Sequence, residues 1–143
     1  MTRRTAWAAA AIAVVVAGTA TAGVLAHPAP ASDGGMQTID LGIHHSRFST
    51  DAIEVKAGTT VRFVVTNDDP ILHELIVGPP ELHQRHEAGT EAAHDPRPGE
   101  VTIQPQTSAT TEYTFDTPGT VEFACHLPGH RAYGMTGQVT VTP

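Results

Sequence analysis

An all-β sandwich is predicted by composition, by residue pattern and by the spacing of turn residues. Hydrophobic residues make up 40% of the 143-residue chain and charged residues 16%. Beyond residue 35 the apolar runs are rich in Val, Ile and Thr rather than in helix formers, which favours pleated, half-buried strands. Gly, Pro, Asn and Asp interrupt those runs at short intervals, as turns between strands require.

Runs over 37–43, 52–55, 59–66, 72–77, 101–104, 110–115, 120–125 and 136–142 give seven or eight short strands with alternating or β-branched character. Lys56-Ala57-Gly58, Asn67-Asp68-Asp69-Pro70, Asp116-Thr117-Pro118-Gly119 and Pro128-Gly129 supply the turns. Strands with one apolar face must cover it with a second sheet, so a Greek-key β-sandwich follows. One segment, 78–100, is too long and too polar for a tight turn, and 81–93 within it has the composition of a short helix. No internal repeat is visible.

The first 22 residues read as an export signal or N-terminal anchor: Arg3 and Arg4 are basic, 6–17 is apolar and Ala20-Thr21-Ala22 is a small-residue cleavage pattern. The apolar stretch continues to Leu25, close to bilayer-spanning length, so membrane association is expected only if the segment stays uncleaved. Residues 23–35, with the Pro/Ala/Gly-rich run His27 to Gly35, form a linker, and 36–143 the working domain. This domain is expected outside the cytoplasm, periplasmic, at the cell envelope or secreted. Without the two leader arginines it has six basic against 15 acidic residues, a charge of −9. Such a surface excludes nucleic acid as a partner.

An oxidising compartment favours disulfides, yet there is a single cysteine, Cys125. Its neighbourhood gives it another use, because Cys125, His130 and Met135 are separated by four residues each. A thiolate, an imidazole and a thioether together select copper, and zinc would want a further strong ligand. One loop thus supplies three ligands, from the end of one strand to the start of the last. The second imidazole comes from His73, just after the 67–70 turn and therefore at the same end of a sandwich. One copper ion per chain, alternating between Cu+ and Cu2+, is expected at His73, Cys125, His130 and Met135.

These residues make the chain resemble the cupredoxins, the plastocyanin, azurin and rusticyanin group. The resemblance rests on Ile53 to Phe63, His73, and Phe123-Ala124-Cys125 through Met135. The Cys-x4-His-x4-Met spacing is closer to rusticyanin and auracyanin than to plastocyanin. It implies His73, Cys125 and His130 as in-plane ligands, Met135 as the axial one, and carriage of single electrons between larger redox proteins. Familiar members follow the first histidine with Asn or Ser, whereas here Glu74 stands there, a neighbour expected to tune the site rather than abolish it. His73-Glu74-Leu75 with a His-bearing insertion also resembles periplasmic cupredoxins linked to copper tolerance, which keeps copper buffering as the alternative function.

His83, His86 and His94 share the 78–100 excursion with several acidic residues and are candidates for a second, weaker metal site. His44 and His45 are adjacent and would face opposite sides of a strand. His126 follows the cysteine as in multicopper oxidases, but residue 124 is Ala and no His-x-His pair exists. The expectation is therefore a monomeric, non-enzymatic blue copper protein whose redox partners carry a basic docking surface.

Overall fold

A computed structural model describes residues 35–89, 94 and 96–143. The expected leader and most of the linker lie outside the described residues. Eight strands and one helix follow in the order β1 (Met36–Ile43), β2 (Ala52–Lys56), β3 (Thr59–Asn67), β4 (His73–Gly78), α1 (Pro80–Glu87), β5 (Glu100–Ile103), β6 (Ser108–Phe115), β7 (Gly119–Ala124) and β8 (Thr136–Thr142). They form two sheets, β1-β3-β6 and β2-β8-β7-β4-β5, packed as a β-sandwich. The β1–β3 and β2–β8 pairs are parallel and the others antiparallel. No helix among the described residues is long and apolar enough to cross a membrane.

The alternation in the sequence sets the inner faces. In β3, Val61, Phe63 and Val65 are buried while Arg62 and Thr66 are exposed; in β8, Val139 and Val141 are buried between exposed Gln138 and Thr140. Phe63, Phe115 and Phe123 are 0 to 1% exposed and fill the space between the sheets, each contributing roughly 1.5–3 kcal/mol through removal from water. Strand β4 departs from alternation because it is buried on both faces. Leu75 and Val77 point into the core, while the outer side, with Ile76, is covered by α1 and its Leu82.

The helix occupies Pro80–Glu87, beginning with a proline at its first turn, where the missing N–H is harmless. Ala88 caps it and Gly89 follows at φ 68°, ending it sooner than the 81–93 expectation. His44 and His45 also differ from expectation: β1 stops at Ile43, so they lie in the following turn with ring centroids 3.9 Å apart.

The close approach of β7 to β8 depends on Gly137, paired with Phe123. A Cβ there would fall on the Phe123 ring and 2.8 Å from the Asp51 carbonyl oxygen, which the Gln138 N–H also uses. Gly137→Ala is expected to cost about 1–3 kcal/mol by overpacking, read as a lower urea midpoint at unchanged slope; no change would mean that the interface is looser than described.

Candidate metal centre

At one end of the sandwich, His73 opens β4, Cys125 follows the last residue of β7 and Met135 precedes β8. The β-sheet order β8-β7-β4 makes these three strand ends neighbours. Ligand atoms of His73, Cys125 and His130 lie within 4.8 Å of one another. Cys125 Sγ is 3.3 Å from His130 Nδ1, and the His73 and His130 ring centroids are 4.9 Å apart. His73, Cys125 and Met135 are each 0% exposed, whereas His130 is only partly buried.

The 125–135 loop is braced by its own backbone. The Cys125 N–H donates to Met135 O, the Met135 N–H to His130 O and the His130 N–H to Leu127 O, at 2.9 to 3.1 Å. Gly129 and Gly134 take φ of 85° and 94°, where a side chain would be strained. Arg131 clamps the loop to β7: its Nε and Nη2 donate to the two carboxylate oxygens of Glu122, and its Nη1 to Glu87 on α1.

On the opposite side, Asn67-Asp68-Asp69-Pro70 is more than a turn. The Asn67 amide donates to the carbonyls of Ile71 and Gln104 and its oxygen accepts from the Asp69 N–H. Asp69 then accepts three hydrogen bonds, from the N–H groups of His45 and Ser46 at 2.7 Å and from His73 Nε2 at 3.0 Å. His45 and Ser46 sit at φ 52° and 53°, left-handed conformations that these bonds help to hold. Burial alone would raise the Asp69 carboxyl, but the two backbone donors and His73 together outweigh it and keep the group below the usual carboxylate range.

A carboxylate oxygen only accepts, so Nε2 of His73 carries the ring proton and Nδ1 presents a lone pair. That Nδ1 is buried without a hydrogen-bond partner. A buried, unpartnered nitrogen costs free energy unless something binds it. Burial lowers the His73 pKa from its ordinary value, so the ring is neutral at pH 7. Burial likewise pushes the Cys125 thiol up to about 11. Metal binding must therefore displace the thiol proton, whereas His73 is ready as it stands. Thiol, two imidazoles and a buried thioether fit a copper ion.

Glu74, expected to act on the site through a neighbour, accepts the His126 N–H on its Oε1 at 2.7 Å, gripping the peptide that follows Cys125. The second candidate cluster is rearranged relative to expectation. His86 and His94 do meet, but around Glu100 of β5. His83 instead turns to β7: its Nε2 donates to Glu122 O at 3.2 Å, and its Nδ1 pairs with His126 Nε2 at 2.8 Å. Asp69 and Glu100 were not singled out in the sequence. Asp69 had a signal, an acid four residues before the expected ligand His73, but Glu100 is brought in only by its pairing with Ile76.

A rigid two-sheet scaffold with a buried thiol, two imidazoles and a thioether at one end defines a cupredoxin. The profile of the copper binding proteins, plastocyanin/azurin family, matches residues 37–142, and the chain belongs to that family. Two relatives described as copper-resistant cuproprotein CopI are similar to it. That of Pseudomonas aeruginosa is 32% identical over 75% of this chain and 77% of its own length; that of Rubrivivax gelatinosus is 37% identical over 66% of this chain and 59% of its own. Dithionite-reduced auracyanin of Roseiflexus castenholzii shares the fold, with a TM-score of 0.62, 23% identity and coverage of 74% of this chain and 97% of that one. The cofactor is copper.

Asp69→Asn offers one accepting oxygen in place of two. It is expected to cost the metal-free protein about 1–3 kcal/mol at pH 7 in urea unfolding. The folded pKa of Asp69 is lowered, so its stabilisation is present above the unfolded carboxylate value and lost as pH falls through the folded one. The gap between the two proteins should therefore shrink toward pH 3; a gap that does not change with pH would contradict the charged-acceptor role.

Proposed function

We propose that this protein carries single electrons between redox partners through one copper ion held by His73, Cys125, His130 and Met135. The observation that carries this reading is the convergence of His73, Cys125 and His130 within 4.8 Å around a buried, unpartnered Nδ1. When bound, copper supplies one-electron exchange between its cuprous and cupric states. The residues supply rigidity: Asp69 fixes the His73 ring, and backbone bonds fix Cys125, His130 and Met135. Ligands that are already placed need not rearrange when the charge at the site changes.

His130 is the edge through which electrons pass, because it is the partly exposed member of the set. Tyr133 in the same loop is 78% exposed, and Ile71, two residues before His73, is 46% exposed. This apolar rim on an acidic chain suits transient docking of a basic redox protein. No bond is made or broken in this scheme, and the protein is not an enzyme. Its working place is outside the cytoplasm, the reading that the basic and apolar N-terminal residues support.

Copper buffering for envelope tolerance is the second reading, favoured by the description of those relatives as copper-resistant cuproproteins. Stopped-flow oxidation of the cuprous protein by a basic one-electron acceptor protein separates the two. Electron carriage predicts fast transfer that slows as salt is added; tight copper binding with slow, salt-independent transfer would leave buffering alone.

Affinity for cupric copper is expected to rise about tenfold per pH unit near neutrality, because one thiol proton leaves Cys125. Cys125→Ser should abolish both this slope and the visible thiolate band. A flat pH profile in competition titrations with a chelator would remove the thiolate from the site.

A further inference from the structure

Beside the copper pocket, on the outer side of the five-stranded sheet, a second set of donors converges. His86 of α1, His94 and Glu100 of β5 place ligand atoms within 4.8 Å of one another. Both imidazoles reach the same carboxylate oxygen, His86 Nε2 at 3.0 Å and His94 Nε2 at 2.9 Å from Glu100 Oε2. The His86 and Glu100 side chains are only 4% and 7% exposed. Glu74 adds a second carboxylate, its Oε1 4.0 Å from His86 Nδ1.

These groups border a cavity of about 530 Å³. Among the described residues its lining has the carboxylates of Glu74, Glu87 and Glu100 and the imidazoles of His73, His86, His94 and His126, but no lysine or arginine. A buried carboxylate is costly without a compensating cation; Glu87 has one in Arg131, and Glu100 is met by two imidazoles on one oxygen, an arrangement that a metal cation can bridge.

We propose that His86, His94 and Glu100 form a second metal site for a divalent first-row cation, zinc or cupric copper. Two imidazoles and one carboxylate with no sulfur suit borderline divalent ions and disfavour the cuprous ion. Three protein ligands around an open position is a common zinc arrangement, and Glu74 lies on the other side of the His86 ring, its Oε1 4.0 Å from Nδ1, where it helps to orient the imidazole rather than to bind the ion. The helix is what assembles the site, since α1 carries His86 across the outer face of β4 toward the register partner of Ile76, Glu100. None of the three donors belongs to the copper pocket, so the two sites stand or fall separately.

The test is metal stoichiometry on the full chain. The protein is loaded with copper until the visible thiolate band stops growing, then equilibrated with zinc, and both metals are counted by elemental analysis after dialysis. Two metal ions per chain are expected in the wild type. In His94→Ala and Glu100→Gln the second is expected to bind at least about a hundredfold more weakly, with the thiolate band unchanged; the band also reports that each variant is folded, and His94 is the more exposed of the donors. A total of one ion per chain in the wild type overturns the proposal. So does a second ion held equally well by both variants. A wild type with no thiolate band, but with zinc lost in the variants, would refute the copper pocket and uphold this site.

Discussion

The structure depends on a hydrogen bond that fixes a histidine before any metal arrives. Asp69 accepts a hydrogen bond from the Nε2–H of His73 and so leaves Nδ1 bare in a place water does not reach. The interior thereby carries an unmet need for a Lewis acid, and folding places the Cys125 sulfur and His130 nitrogen beside that need. The same carboxylate holds the 44–46 turn in its left-handed form. One acidic residue thus ties a loop of one sheet to a ligand of the other, and the site becomes a property of the sandwich rather than of a loop.

Burial has two consequences at this end of the molecule. It keeps His73 neutral and ready to bind, and it holds the Cys125 thiol protonated until a metal displaces the proton. A thiol in that state is a poor nucleophile, which protects a lone cysteine from oxidation while the site awaits copper. The excursion between β4 and β5 works on the outside of the same sheet. It covers the second face of β4 and lays histidines over it, while Glu74, between the two regions, grips the peptide after Cys125.

Much of this was legible in the residues. All eight strands fall within a few residues of where alternation and turn residues put them, because edge and core positions in a sandwich obey a period of two. The ligand loop was legible because Cys125, His130 and Met135 are close in sequence, and His73 because it follows a turn. What was not legible came from pairing across strands. Glu100 meets His86 only because β5 registers against β4, and His83 turns to Glu122 and His126 because β7 lies beneath the helix. The helix ended early because Gly89 adopts a positive φ, which composition does not specify. His44 and His45 left the strand because Asp69, distant in sequence, captures the following backbone.

The central claim is that a sulfur and two imidazole nitrogens, already converged in the folded chain, take up the copper. X-ray absorption at the copper edge of the loaded protein tests this most directly. The account predicts one short sulfur scatterer with two nitrogen scatterers in the first shell, the sulfur vanishing in Cys125→Ser. A first shell of nitrogen and oxygen alone in the unaltered protein would contradict it.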